Sequence, residues 1–330
     1  MLLHDDTELD TACPQNIVTD GPLVVKGVGQ WFDYSKAANP VRPGLSPQVP
    51  LYAFPPELYA SGPTRIVPLD LSHRLSCPGP ATSPGLCANF ARILPGETLS
   101  SDIAAGAATS LVFYVIRGSG RTAVWSGIGM RPIDWKEGDI VALPGGSEYV
   151  HEAGADGAAL YLVHDAPLLT HLGVVAGSQR FKPTLYPAEI TRAALAQCVR
   201  GPAPSVGDRV SVLLADARLP RLRAISHVIY ATYGAVPARS VQRPHRHQSA
   251  SLDYIVSCGA GVYSLIGREL DSKGQIVRPI RQDWRAGMAF VTPPGFWHAH
   301  FNEGDTDAFV LPIQDAGLHT YLRSLDVRFG

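Results

Sequence analysis

Apolar positions along this chain come in short runs, alternating or continuous, each closed by glycine or proline. From about residue 88 the runs read "NFARILPGE", "SLVFYVIRGSGRTAVW", "GDIVALPGGSEYV" and "AALYLVHDAPLL". From about residue 224 a second set reads "AISHVIYATYG", "SLDYIVSCGAGVYSLIG", "GMAFVTPPGFWHAHF" and "AFVLPIQDAGLHTYL". Short β-type runs with turn signals roughly every ten residues predict a sandwich or jelly-roll barrel in each half, so the fold class is all-β. Only "PAEITRAALAQCVRG" (Pro187 to Gly201), with its alanines, leucine and closing glycine, is helical in character.

The two sets repeat one another. "SLVFYVIRGSG" lies over "SLDYIVSCGAG" at a spacing of 141 residues, "GDIVALPGG" over "GMAFVTPPG" at 149, and "HDAPLLTHL" over "QDAGLHTYL" at 150. A nearly constant offset over three separate motifs is an internal duplication. The expected organisation is an irregular N-terminal arm over 1–85, a first barrel over 86–173, a linker with the helix over 174–223, and a second barrel over 224–330. In the arm, "NPVRPGLSPQVPLYAFPPELY" has a proline every few residues, which opposes helix and central strand alike. Its Trp31, Phe32, Tyr34, Tyr52, Phe54 and Tyr59 supply apolar material for packing.

Candidate chemistry concentrates in the second half. In an extended strand alternate side chains share a face, so His245 and His247 of "RPHRHQSASL" point one way. In "PPGFWHAHFN", His298 follows a glycine-proline turn and His300 sits two further on, again on one strand face. Neutral imidazoles grouped without a carboxylate suit a borderline divalent ion such as iron(II), zinc, manganese or nickel. Carried back to the first half by the offsets, the HxH positions become Ala104 and Gly106 and the position of His298 becomes Tyr149, so no metal is expected there. His151, which matches His300, reads as a barrel-lining histidine.

Composition narrows the partners. The 330 residues carry a net charge of −1, which supplies no broad basic field for nucleic acid or anionic lipid. The five cysteines, Cys13, Cys77, Cys87, Cys198 and Cys258, form no CxxC pair, and an odd, scattered set fits a reducing cytoplasm. "MLLHDDTELD" is acidic where a signal peptide is basic and then apolar, and no run approaches the roughly eighteen apolar residues of a membrane helix. No GxSxG, HExxH or Cys/His pair points to a hydrolytic nucleophile. A soluble cytoplasmic protein with small-molecule partners is expected.

The histidine pattern resembles the cupin signature. Its second motif, G-x5-P-x-G-x2-H-x3-N, fits at Gly287, Pro293, Gly295, His298 and Asn302. The first motif fits through His245, His247 and Gly259, with its leading glycine absent and Leu252 in the glutamate slot. With the duplication, the resemblance is to a bicupin, two double-stranded β-helix (jelly-roll) barrels. "HRHQSASLDYIV", "ATSPGLCANFARILPGE" and "WHAHFN" further resemble the ring-cleaving bicupins of the gentisate 1,2-dioxygenase type, with the salicylate and hydroxynaphthoate dioxygenases, over most of residues 81–322.

That resemblance implies His245, His247 and His298 as iron(II) ligands and His300 as a catalytic histidine beside them. It implies an aromatic substrate that binds the metal, and O2 as co-substrate. Two features depart from the pattern. The best-known members carry the iron in the first barrel, and the residue after the leucine is usually an arginine that holds the substrate carboxylate. Here that residue is Asp253. A carboxylate there repels a carboxylate substrate, so either another cation, with Arg243 and Arg239 nearby in sequence, takes over, or the substrate carries an amine or other donor. The expectation is a dioxygenase acting on a phenolic acid or aminophenol-like substrate. A decarboxylase, isomerase or hydrolase on the same scaffold, or a non-catalytic small-molecule-binding cupin, is the alternative. The arm and linker, built to pack, fit a homo-oligomer.

Overall fold

The structure is a computed structural model. It describes residues 46–100, 106–126, 129–146, 148–200 and 210–330, together with two short strands, Val18–Thr19 and Val25–Lys26, which pair antiparallel. Trp31, Phe32, Tyr34, Cys13 and Ala104 lie outside the described residues. Residues 47–330 form one compact unit.

Within that unit both halves are antiparallel β structures, as the alternation requires. The first is an eight-stranded sheet whose path runs 184–186, 140–144, 110–126, 148–164, 87–93, 65–68, with 98–100 and 129–136 attached at its sides. Its two 17-residue strands, Ser110–Ser126 and Glu148–His164, pair along most of their length, so the sheet folds over on itself. Leu111, Phe113, Val115, Val141, Leu143, Leu160 and Leu162 fill its interior.

The second half has two sheets. The six-stranded one runs 210–214, 230–236, 308–314, 251–257, 289–292, 52–54, and the five-stranded one runs 280–283, 262–267, 297–302, 240–246, 328–329. A smaller apolar cluster of Ile255, Val262, Ile266, Trp284, Phe290 and Val310 packs between them. Between the two halves lies the largest core, in which the Tyr161 and Tyr254 rings stack at 5.0 Å and Phe90 packs on Tyr59 at 4.6 Å.

The N-terminal segment is more regular than its prolines suggest. Tyr52–Phe54 pairs with Ala289–Thr292 of the second half, whereas Arg65–Pro68 pairs with Cys87–Ile93 of the first. The linker does the same in the opposite sense: Thr184–Tyr186 completes the first sheet and Val210–Leu214 the second. The helix between them spans Ala188–Arg200. Among the described residues no helix is long and apolar enough to cross a membrane.

The ladders correct one alignment made from sequence. Leu111 pairs with His164 and Ser251 with Gln314, so the equivalent of Leu111 is Ser251, an offset of 140 and not 141. Two further observations agree. Asp165 accepts from the Ser110 backbone N–H at 3.0 Å as Asp315 accepts from that of Ala250 at 3.0 Å, and both strands skip one residue at the matching points Ile116 and Val256. The difference matters because a one-residue slip moves every side chain to the other face. Leu252, taken for the glutamate slot, therefore matches Val112, and both lie in the core between the halves. Asp253 takes the place of Phe113 in the barrel interior.

Candidate metal centre

The five-stranded sheet of the second barrel gathers the histidines. Ser240–Arg246 and Trp297–Asn302 pair antiparallel, and the register sets His245 opposite His298 after a bulge that follows Gln242. His247 lies just beyond the first strand. The motif glycines make two turns possible, Gly287 at φ +82° before Ala289–Thr292 and Gly295 at φ +75° before Trp297–Asn302, a region only glycine enters without strain. Asn302 closes the hairpin, donating to the carbonyls of Val236 at 2.8 Å and Thr306 at 2.9 Å and accepting from the Gly304 N–H at 3.0 Å. The motif asparagine is thus a structural clamp.

His245, His247 and His298 are buried, and one ligand nitrogen from each lies within 4.8 Å of the others. Nitrogens sharing an ion at about 2.1 Å lie no more than about 4.2 Å apart, so small side-chain rotations bring the set onto one ion. Two of the three rings are already oriented. The Nδ1–H of His298 donates to the Phe296 carbonyl at 3.0 Å, and the Nδ1–H of His247 to the Ser249 carbonyl at 2.9 Å. A proton on Nδ1 leaves the Nε2 lone pair for a metal, the usual way a backbone carbonyl fixes a ligating histidine. The Ser249 hydroxyl also approaches His247 Nδ1 at 3.0 Å and donates to Gln314 Oε1 at 2.9 Å. The His245 ring lies 3.9 Å from that of His298 and stacks on Phe329, at 6.0 Å and 21°, from the C-terminal strand Arg328–Phe329. Buried and close, two of them oriented by carbonyls, these donors fit a divalent transition metal.

His300 stands on the same face as His298, their rings 5.8 Å apart. Its Nδ1 lies 2.8 Å from the Ser264 hydroxyl, which in turn accepts from Trp284 Nε1–H at 2.8 Å. Neither Ser264 nor Trp284 was identified from the sequence. A signal was present, since Trp284 in "DWRAGM" repeats Trp135 in "DWKEGD" at the spacing of 149.

Asp253 is buried and its two oxygens accept from different hydroxyls, Ser251 Oγ at 2.6 Å and Thr292 Oγ1 at 2.7 Å. By strand register this polar trio replaces Phe113, Leu111 and Leu143 of the first barrel, all members of its apolar core. Ser251 and Thr292 are also residues the sequence reading passed over. Arg243 is exposed on the strand that carries His245, while Gln242 and His245 are buried. Arg239, the other nearby cation, pairs with Asp305 at the surface.

The first barrel holds no such group among the described residues. Tyr149 occupies the third-ligand position, pairing with Val124 as His298 pairs with Ile266. By the corrected offset of 140 the counterparts of His245 and His247 are Ala105, outside the described residues, and Ala107, in place of Ala104 and Gly106. His151 is buried edge-on to Phe113 at 5.0 Å, with its Nδ1 2.8 Å from Thr122 Oγ1 and its Nε2 without a partner. Burial lowers its pKa to about 4.

No family model matches the sequence, and no curated protein matches it. Solved structures do. Salicylate 1,2-dioxygenase from Pseudaminobacter salicylatoxidans superposes with a TM-score of 0.68 at 13% identity over 90% of this chain and 93% of that one. The same enzyme in adducts with gentisate gives 0.65 at 14% identity over 87% of each chain. The formate complex of oxalate decarboxylase from Lactobacillus farciminis gives 0.52 at 14% identity over 80% of this chain and 85% of that one. Two jelly-roll barrels related by duplication, the cupin motif leading into the histidine-bearing strand of the second and this superposition over nine-tenths of the chain give the protein the bicupin fold, in the form that salicylate 1,2-dioxygenase displays.

Proposed function

We propose that the protein is an iron(II)-dependent dioxygenase that cleaves a small aromatic substrate, a phenolic acid or aminophenol-like compound, in the second barrel. The observation that carries this reading is the donor set: three buried imidazoles, converging within 4.8 Å, with no carboxylate among them. Iron(II) held by three neutral nitrogens would keep adjacent positions for the substrate and O2, and so bring them together in the orientation that ring cleavage needs. Among the described residues no carboxylate joins the three histidines, which weighs against oxalate-type chemistry.

In this reading His245, His247 and His298 hold the metal and His300 exchanges a proton or hydrogen bond with the bound substrate. Asp253, replacing a phenylalanine of the ligand-free barrel, lines the interior and sets the substituent pattern. Its charge disfavours a substrate carboxylate on that side and favours a donor such as an amine. Arg243, exposed on the histidine-bearing strand, is the cation nearest in sequence for a carboxylate that projects toward the rim. The enzyme works in the cytoplasm as a homo-oligomer, without nucleic acid or membrane partners.

The test is metal analysis of anaerobically purified protein followed by oxygen uptake against a panel of phenolic acids and aminophenols. Stoichiometric iron with substrate-dependent O2 consumption supports the proposal. Metal-replete protein that consumes no O2 across the panel overturns it.

A further inference from the structure

The histidine beside the metal ligands does not stand alone. Trp284, on the segment that follows Ile280–Asp283, donates from Nε1 to the Ser264 hydroxyl at 2.8 Å, and that hydroxyl lies 2.8 Å from His300 Nδ1. All three groups are buried, with exposures of 7% for Trp284, 0% for Ser264 and 5% for His300. An indole N–H can only donate, so it occupies one of the two lone pairs of the serine oxygen; among the described residues the buried serine hydrogen has no acceptor other than His300 Nδ1, and it is donated there. An Nδ1 that accepts this hydrogen carries no proton of its own. In a neutral imidazole the proton is then on Nε2.

The same three-membered chain occurs in the first barrel. Trp135 Nε1 donates to Thr122 Oγ1 at 2.8 Å, and Thr122 Oγ1 lies 2.8 Å from His151 Nδ1. Thr122 is the direct cross-strand partner of His151 as Ser264 is of His300. The barrel without a histidine triad among the described residues therefore carries the same chain of hydrogen bonds. There the imidazole is enclosed by Phe113 and Tyr149, and burial lowers its pKa to about 4.

We propose that Ser264 and Trp284 are positioning residues that hold His300 in its Nε2–H form, so that the second barrel presents a fixed hydrogen-bond donor beside the metal triad. Because Ser264 is spent on Nδ1, His300 meets an oxygen atom of a bound substrate as a donor and is not free to accept from it. This deepens the function proposed above and rests on it for the word substrate. The hydrogen-bond chain itself rests on the two barrels alone.

The test reads the tautomer directly. Nitrogen-15 spectra of the histidine side chains are recorded on metal-free and zinc-loaded protein at neutral pH, with His300 assigned by its loss in His300→Gln and His151 by its loss in His151→Asn. His300 and His151 should both show a protonated Nε2 and an unprotonated Nδ1. Ser264→Ala should shift the His300 Nδ1 signal and leave His151 unchanged, Thr122→Val should do the reverse, and Ser264→Thr should restore the His300 pattern, since threonine already serves in the first barrel. If O2 uptake is found, Ser264→Ala should lower kcat about tenfold, the order of one hydrogen bond, with KM within about twofold, and Trp284→Phe should lower it less. A proton on Nδ1 of His300, or an His300 spectrum indifferent to Ser264→Ala, overturns the proposal even in an active enzyme. The expected tautomer in a protein that consumes no O2 overturns the dioxygenase reading and leaves the positioning role standing.

Discussion

Replacing His151 by asparagine should flatten the acid side of the protein's stability profile. His151 is 1% exposed, and burial lowers its pKa from 6.5 to about 4. The folded state therefore declines a proton that the unfolded state accepts as pH falls below 6.5. Stability contributed by the neutral ring is intact above pH 6.5, is lost as pH falls toward 4, and changes no further below that. Lowering from 6.5 to about 4, at about 1.36 kcal/mol for each tenfold in proton affinity, sets the full loss at about 3 kcal/mol. Between pH 7 and pH 5 the two titration curves leave a difference of about 2 kcal/mol. Asparagine places Oδ1 near the former Nδ1, keeps an acceptor for Thr122 and does not titrate, so its packing loss against Phe113 is independent of pH. Burial also lowers His164 and His227 to about 4, so the wild-type slope contains their contributions as well. The difference between variant and wild type isolates His151. Urea unfolding at pH 7 and pH 5 measures it: the wild type should lose about 2 kcal/mol more than His151→Asn over that interval. Parallel losses in the two proteins would refute the argument and mean that His151 is protonated inside the barrel.

Removing a ligand should remove the metal: His245→Ala or His298→Ala should abolish stoichiometric binding measured by elemental analysis, while His151→Asn should not, and full occupancy in a His245/His298 double variant would sink the site. Gentisate should be a poor substrate of the natural protein, and Asp253→Arg should move preference toward hydroxybenzoates in kcat/KM; efficient turnover of gentisate by the unaltered protein would mean that Asp253 does not govern the carboxylate. Gly287→Ala should destabilise by about 1–3 kcal/mol, because a methyl group there meets the Tyr59 hydroxyl at 2.4 Å on a backbone at φ +82°. Tyr59→Phe in the same chain should recover part of that loss in thermal unfolding, and a Gly287→Ala protein as stable as the parent would show that the turn relaxes freely.

Much of the fold was legible because its signals are local. Alternation and turn residues identified strands, and the spacing of repeated motifs identified the duplication. The HxH pairs and the glycines before His298 exposed three ligand candidates that the structure brings together. Less legible was anything set by pairing. A difference of one residue between offsets 141 and 140 decides whether Leu252 or Asp253 faces the barrel interior, and only the ladders with 308–314 and 289–292 resolve it. Arg243 and His245 lie two residues apart on one strand, and only the structure shows that Arg243 is exposed where Gln242 and His245 are buried.

What the sequence by itself determined is therefore what nearest neighbours along the chain decide: strand character, turn positions that demand glycine, and the common facing of residues two apart. What only the tertiary structure decided is which strands meet. The relay joins Ser264, Trp284 and His300 across 36 residues, and Tyr52–Phe54 completes the barrel whose first own strands begin more than 150 residues later. Such meetings depend on sheet register and on the packing of the core between the barrels. Those are sums over many distant contacts, and no local pattern in the chain encodes them one at a time.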